Sequence, residues 1–254
     1  MIAEKCLLSA VISVRNEEKQ LADCLERLTF ADEIVVLLDK CTDGSRDIAA
    51  RFTDRLIDGD WAIEVDRRNA AIEVAMGDWI FEIDADERVP SALADEIRKT
   101  VETSDSDWHG ILVNNYIGTR LVRNGWGGSY GKPQYSGLFR KGAKQWNRQR
   151  VHPAIELTGT QGPVLQNRLD HYVDRNISDM IHRLDSYTSA RAMDIRELGG
   201  GGSYGRNLRR MFTRFWKCYV SRKGYREGRY GLLIAMFAAL YPILSYLKAT
   251  LEES

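Results

Sequence analysis

The chain is short of cysteine, and no spacing pairs the cysteines it has. Cys6, Cys24, Cys41 and Cys218 are scattered through 254 residues with no Cys-x-x-Cys. That argues against a zinc ribbon or a thioredoxin-type site and suits reduced thiols in a reducing compartment. No secretory leader is expected, because Glu4 and Lys5 come early and the apolar stretch behind them is only strand-sized. No uncharged run is longer than the one that holds Gly231 to Leu247 and begins at Tyr230, 18 residues that include Pro242. That is the lower edge of a bilayer span, so a helix lying in the interface or packed on the domain is expected there. Net charge is also missing, since 36 basic residues balance 36 acidic ones. The balance hides an asymmetry. Residues 1–108 hold 13 Lys and Arg against 26 Asp and Glu, and residues 109–254 hold 23 against 10. A basic second half points to an anionic partner; two solvated faces that offset one another are the plainer alternative.

What is present begins with a regular alternation. Leu7 to Val14 reads as a strand, and Leu21, Cys24, Leu25 and Leu28 mark an amphipathic helix at i, i+3, i+4, i+7. Ile34 to Leu38 reads as a buried strand, Ile48, Ala49 and Phe52 as helix, Arg55 to Ile57 as a brief strand, and Asn69 to Met76 as helix. Gly77 ends that helix and Asp78 to Ile83 forms a fourth strand. Strands alternating with helices imply an α/β fold with a mainly parallel central sheet flanked by helices. After Trp108 the pattern loosens. Gly110 to Ile117, Gly137 to Arg140 and Val151 to Glu156 read as extended pieces, with 118–134 as a loop over a site. Asn176 to Glu197 is a long amphipathic helix, and four glycines, Gly199 to Gly202, follow it. The expected division is a domain over 1–198 and a basic, helical C-terminal extension over 199–254.

The densest signal is Asp84-Ala85-Asp86-Glu87 at the end of the fourth strand. Ligands bind beyond the carboxyl ends of strands in open α/β sheets. Two carboxylates there suit Mg²⁺ or Mn²⁺, which are often held by one or two carboxylates plus substrate phosphates. The structural alternative is first-turn acids on the helix that Pro90 begins.

Four pieces line up along the chain. They are Val14-Arg15-Asn16-Glu17-Glu18, Leu38-Asp39-Lys40-Cys41-Thr42-Asp43-Gly44-Ser45, Arg67-Arg68-Asn69, and Asp84-Ala85-Asp86-Glu87. Together they resemble inverting glycosyltransferases of family 2 with the GT-A fold, and are similar to the branch of lipopolysaccharide core glucosyltransferases. The resemblance covers residues 7–90 well and the tail from Tyr219 to Glu252 more loosely. It implies that Arg15, Asn16 and Glu17 line the base and ribose of a nucleotide-sugar, with Asp39 near the base. Arg68 would face the diphosphate, as its fork of donors suits; an exposed helix face is the alternative for Arg67 and Arg68. Asp86 would bind a divalent metal directly, and Asp84 would touch ribose or bind the metal through water. The chain departs from the commoner Asp-Asp-x-Ser-x-Asp-Gly-Ser form at Leu38 and Cys41. Asp43-Gly44-Ser45 reads as a turn and helix cap.

Inverting transfer needs a base within reach of the acceptor hydroxyl. Glu156, in His152-Pro153-Ala154-Ile155-Glu156, is the candidate that the resemblance implies, with Glu87 and Asp170 as alternatives. His171 matches the late histidine that completes the metal site in GT-A enzymes, while His152 reads more readily as structural.

Residues 206–229 carry nine Lys and Arg against Glu227 alone, with Phe212, Phe215, Trp216, Tyr219 and Tyr225 interleaved. With the apolar run behind them, residues 206–247 read as a peripheral contact with an anionic membrane surface; packing on the domain or forming a homodimer is the alternative. The acidic first half and the lack of a recognised motif argue against nucleic acid. The expected function is therefore transfer of a hexose from a nucleoside diphosphate sugar, UDP-linked, to a hydroxyl of a lipid-linked or lipopolysaccharide-type glycan. The enzyme would be cytoplasmic, on the inner face of the membrane. A nucleotidyltransferase would need a Gly-rich, basic loop after the first strand, where Arg15-Asn16-Glu17-Glu18 stands. A non-catalytic scaffold on the same fold is the rival from another class.

Overall fold

The computed structural model describes residues 7–126, 131–147 and 154–252. His152 lies outside the described residues. Two compact units divide the chain: residues 1–113, 134–149 and 153–171 form one, and 114–133, 150–152 and 172–254 the other.

The first unit is built on a mixed sheet. Its N-terminal part is β1 (Leu8–Val14), β2 (Glu33–Asp39), β3 (Leu56–Gly59) and β4 (Trp79–Ile83), joined by α1 (Leu21–Leu25), α2 (Ser45–Ala49) and α3 (Glu64–Val74). A short 3₁₀ turn, Glu26–Leu28, extends α1. β5 (Glu87–Arg88) and α4 (Ser91–Thr103) follow, then β6 (Trp108–Ile117), β8 (Gln134–Arg140), β9 (Lys144–Trp146), β10 (Ile155–Leu157) and β11 (Leu165–Asp174); the ends of β6 and β11, and the whole of β7 (Arg120–Val122), belong to the second unit. Among the described residues the order across the sheet is β3-β2-β1-β4-β8-β6-β11-β5, with β7 paired to β6, and β9 and β10 make a separate ribbon.

The expected parallel arrangement holds for β1 with β2 and β4, and for β2 with β3. Beyond β4 the pairings with β8, and of β8 with β6, are antiparallel. β11, a ten-residue strand, was not anticipated by the sequence reading; in Leu-Gln-Asn-Arg-Leu-Asp-His-Tyr-Val-Asp polar residues interrupt any apolar run.

Period-two alternation places the two cores. Leu8, Ala10, Ile12 and Val14 of β1 join Val36, Leu38, Trp79, Phe81 and the α1 residues in one buried cluster. Val11, Val35, Leu37, Ile80 and Phe139 join Ala71 and Ile72 of α3 on the opposite face. Gly77 is needed where the chain enters β4, because a Cβ there would lie 2.6 Å from Ser9 Oγ and 2.7 Å from Ser9 N.

The second unit is helical, with α5 (Ile177–Leu198), α6 (Tyr204–Trp216) and α7 (Arg229–Leu251). Asn176 and Ser203 cap α5 and α6 by accepting the backbone N–H of Asp179 and Arg206. The glycine run 199–202 links these two helices inside the unit. α7 packs one side within the unit: Ile234, Phe237 and Tyr241 pack with Met180 and Leu184 of α5, and Leu240 and Leu244 lie against that cluster. Leu232 and Met236 stay exposed. α7 has the length and apolar character to cross a membrane, but 56% of that apolar window is buried inside the protein.

Candidate functional site

The strand ends of β1, β2 and β4 carry the expected residues. Beyond β1, Asn16 takes a left-handed backbone, φ 57°. Its Oδ1 accepts from Thr42 N at 2.8 Å, and Ser45 Oγ accepts from Glu17 N at 2.8 Å, so the loops after β1 and β2 are tied together. Asp43 accepts Glu18 N at 3.0 Å and Ser45 N at 3.0 Å, which closes a turn; the N-cap of α2 is Gly44, and no side chain caps that helix. Arg15 is exposed. Asp39 is buried; it accepts Trp61 N at 3.2 Å and pairs with Arg67 Nη1 at 3.1 Å.

Beyond β4 the chain makes a tight acidic turn. Glu87 N donates to Asp84 O at 3.0 Å, and Asp84 N donates back to Glu87 Oε2 at 2.9 Å. Arg88 fastens the turn from below: it is buried, it pairs with Asp23, and its Nη1 donates to the carbonyls of Ala85 and Glu87 at 2.8 Å each. β5 then runs antiparallel to β11, with His171 opposite Glu87 and Asp170 opposite Arg88. That register brings His171 Nε2 to 3.3 Å from Asp86 Oδ2.

A second layer lies under the turn. Glu82 points from the middle of β4 into the unit and is buried. Lys144 Nζ donates to its Oε2 at 2.5 Å, Trp146 Nε1 to its Oε1 at 2.9 Å, and Arg68 Nη1 to the same Oε1 at 3.0 Å. Burial pushes the Glu82 carboxyl up, but Lys144 and Arg68 outweigh it and hold the group below its ordinary value. Arg68 also meets Asp84 Oδ1 at 2.7 Å and Glu64 Oε1 at 2.7 Å, and stacks 5.2 Å from the centre of the Trp146 ring. Its guanidinium is thus engaged by three carboxylates rather than pointing into open space.

Negative charge concentrates where the loops meet. Burial raises the Glu17 carboxyl, and after the opposing hydrogen bond from Gln20, Asp86 and Asp84 raise it further. Three carboxylates near enough to sense one another favour a cation between them. Among the described residues, however, no group of three or more His, Cys, Asp and Glu side chains stands in ligating geometry. Asp86 and His171 bring together one oxygen and one nitrogen donor, 3.3 Å apart. That fits an ion whose remaining positions are filled by substrate oxygens and water.

The remaining candidates stand apart. Glu156 is exposed on the β9–β10 ribbon opposite Gln145, and among the described residues no hydrogen bond or ion pair engages its carboxylate. Glu87 is fully buried and holds Asp84 N. The sequence reading missed the Glu82–Lys144–Trp146 cluster. The signal was a lone acid inside the apolar run Trp79-Ile80-Phe81-Glu82-Ile83, because a buried charge requires a partner.

Comparison with known proteins matches the family described as "Glycosyl transferase family 2" over residues 9–157. The chain is 27% identical to "Lipopolysaccharide core biosynthesis glycosyltransferase LpsC" of Rhizobium meliloti (strain 1021), over 96% of this chain and 92% of that protein. It is 25% identical to an uncharacterized glycosyltransferase of Rickettsia felis, over 97% of this chain and 90% of that one. Among solved structures it is similar to S. aureus TarS 1-349, with TM-score 0.50 and 12% identity over 96% of this chain and 81% of that chain. TarS 1-349 in complex with UDP matches with TM-score 0.50 and 12% identity, over 87% of this chain and 75% of that chain. At that identity the likeness is one of fold.

Proposed function

The chain belongs to glycosyl transferase family 2, and from that premise we propose that it moves a hexose from UDP-hexose to a hydroxyl of a lipid-linked or lipopolysaccharide-type glycan, with inversion. Family membership sets aside the nucleotidyltransferase alternative. The observation that carries the reading is the approach of His171 to Asp86, 3.3 Å, at the carboxyl end of β4. The lipopolysaccharide-type acceptor follows the relative LpsC, matched over nearly the whole of both chains. UDP follows the fold shared with TarS, a protein that has been captured with UDP.

Asp86 and His171 are the residues that would hold a divalent Mg²⁺ or Mn²⁺ ion, with Asp84 beside them. When bound, such an ion supplies Lewis-acid and electrostatic stabilisation to the departing diphosphate. The protein's own part is orientation. Arg68 fixes the Asp84 carboxylate, and Arg88 fixes the turn that presents Asp86. Arg15, Asn16, Glu17 and Asp39 are assigned to the base and ribose. Glu156 is assigned the acceptor proton; an exposed carboxylate with no competing partner among the described residues is available for that transfer.

Residues 206–247 are assigned to peripheral contact with the inner face of the membrane. The support comes from α6, where Tyr204, Leu208, Phe212 and Trp216 recur every four residues and are all exposed. Four such residues make one apolar stripe, and Arg206, Arg209 and Arg210 lie on the same helix. Basic side chains beside an apolar face suit an anionic leaflet.

The test is a panel of nucleotide-sugars offered to the full chain with and without Mn²⁺. A ligand that binds only the folded state raises the unfolding temperature. A UDP-hexose should do so in a Mn²⁺-dependent way and release UDP once an acceptor glycan is added. A folded chain that responds to no nucleotide-sugar, with or without metal, would remove the proposal.

A further inference from the structure

A cavity of about 260 Å³ lies in the helical unit, and none of its lining residues is one assigned above to donor or acceptor. Arg191 of α5, Gly200 and Gly201 of the glycine run, Arg210 and Arg214 of α6, and Tyr241 of α7 line it. Three guanidiniums at one crevice need anions. Among the described residues the ion pair of Arg191 is with Asp194 alone, at 3.7 Å, beyond hydrogen-bond length. Arg214 lies 5.3 Å from the centre of the Tyr241 ring, and its Nη1 is buried with no hydrogen-bond partner. Burial, then repulsion from Arg210, lowers the Arg214 pKa, and only Tyr241 and Cys218 oppose this; no carboxylate does. Among the described residues no ion pair engages the Arg210 or Arg214 side chain. A buried guanidinium donor without an acceptor is costly unless a ligand supplies one.

We propose that this cavity is a second binding site, for a phosphate group, gripped by Arg191, Arg210 and Arg214. Arginine forks match phosphate oxygens in pairs, which a single point charge does not. The volume is well above the ~30 Å³ that one water occupies in the liquid, so a phosphate with its hydration enters. The glycines at the rim present no side chain to exclude it. The phosphate is either borne by a lipid or free in solution. The exposed stripe of Tyr204, Leu208, Phe212 and Trp216 on the same helix favours the lipid-borne source.

The experiment uses the full chain, with inorganic phosphate as the soluble probe and two vesicle compositions as the lipid probes. Phosphate should raise the unfolding temperature of the wild-type chain and of Asp86→Ala alike, which keeps the effect separate from donor binding. In Arg210→Gln/Arg214→Gln the apparent affinity should fall at least tenfold while any response to UDP stays. Should that pair disturb the fold, Arg191→Gln, on a half-exposed side chain, carries the same expectation. Vesicles of phosphatidylcholine with phosphatidic acid should then bind better than vesicles with phosphatidylglycerol, and phosphate should compete. A phosphate effect with no difference between the vesicles assigns the site to a soluble phosphate. No phosphate effect in the wild type, or an effect that survives the arginine substitutions, overturns the proposal.

Discussion

His171 Nε2 lies 3.3 Å from Asp86 Oδ2 across 85 residues of chain. The pair exists because β5, only two residues long, docks on β11 in a register that sets His171 opposite Glu87. If these two side chains hold the ion, Asp86→Asn and His171→Ala should each lower transfer on the order of 10²-fold or more. Neither should unfold the protein, because the turn is held by Arg88 and Glu87. The measurements are UDP release and the Mn²⁺ dependence of the thermal shift. Wild-type Mn²⁺ response in both variants would take the ion away from this turn.

Lys144 and Glu82 form an ion pair with neither side chain more than 6% exposed. Removing one partner of such a pair leaves a buried charge and costs about 3–5 kcal/mol. Lys144→Met should therefore shift the urea midpoint strongly. Glu82→Gln added to Lys144→Met should recover part of the loss, giving a coupling of about 0.5–3 kcal/mol in the cycle. Additive losses would mean that the two residues do not support each other.

Acid should weaken the fold through the same residue. The folded Glu82 carboxyl titrates below its ordinary value, so its contribution is present above the unfolded pKa, ~4.3. That contribution is lost as pH falls from there through the lower folded value. Unfolding free energy measured from pH 6 downward should fall below about pH 4.3, and Glu82→Gln should flatten that slope. An unchanged slope in the variant would assign the acid sensitivity to other carboxylates.

Glu156→Gln should separate chemistry from binding. A lost general base typically costs about 10²–10⁴-fold in rate. The donor-induced thermal shift should stay at the wild-type value, because Glu156 has no described contact with the turn at Asp84 and Asp86. Full turnover in Glu156→Gln moves the base elsewhere, with Asp170 next to be tested.

The N-terminal half of the first unit was readable because its signals are local. The apolar runs of β1, β2 and β4 need no partner to be recognised, and the acids of the Asp84 turn stand directly after a strand. The partners of those acids are not local. Arg68 reads as a donor for a diphosphate, and the fold brings it three carboxylates, one of them, Glu82, from inside a buried strand. β11 was hidden because Gln166, Asn167, Arg168, Asp170 and His171 break up its apolar residues, which leaves neither an unbroken run nor a clean alternation. The tail showed its composition but not its packing. α7 supplies much of the apolar material and buries most of it on α5 and α6, which leaves the stripe on α6 as the larger apolar surface.

The two-residue strand β5 has a consequence for how the protein comes into being. A chain emerging from the ribosome shows Asp84 and Asp86 early, yet the histidine that completes the pair arrives only with the last strand of the sheet. Until β11 has slotted beside β5 there is an acidic turn but no second donor. Any competence that depends on the pair is therefore acquired late, and a chain cut short before residue 165 would carry the acidic turn without ever gaining its partner.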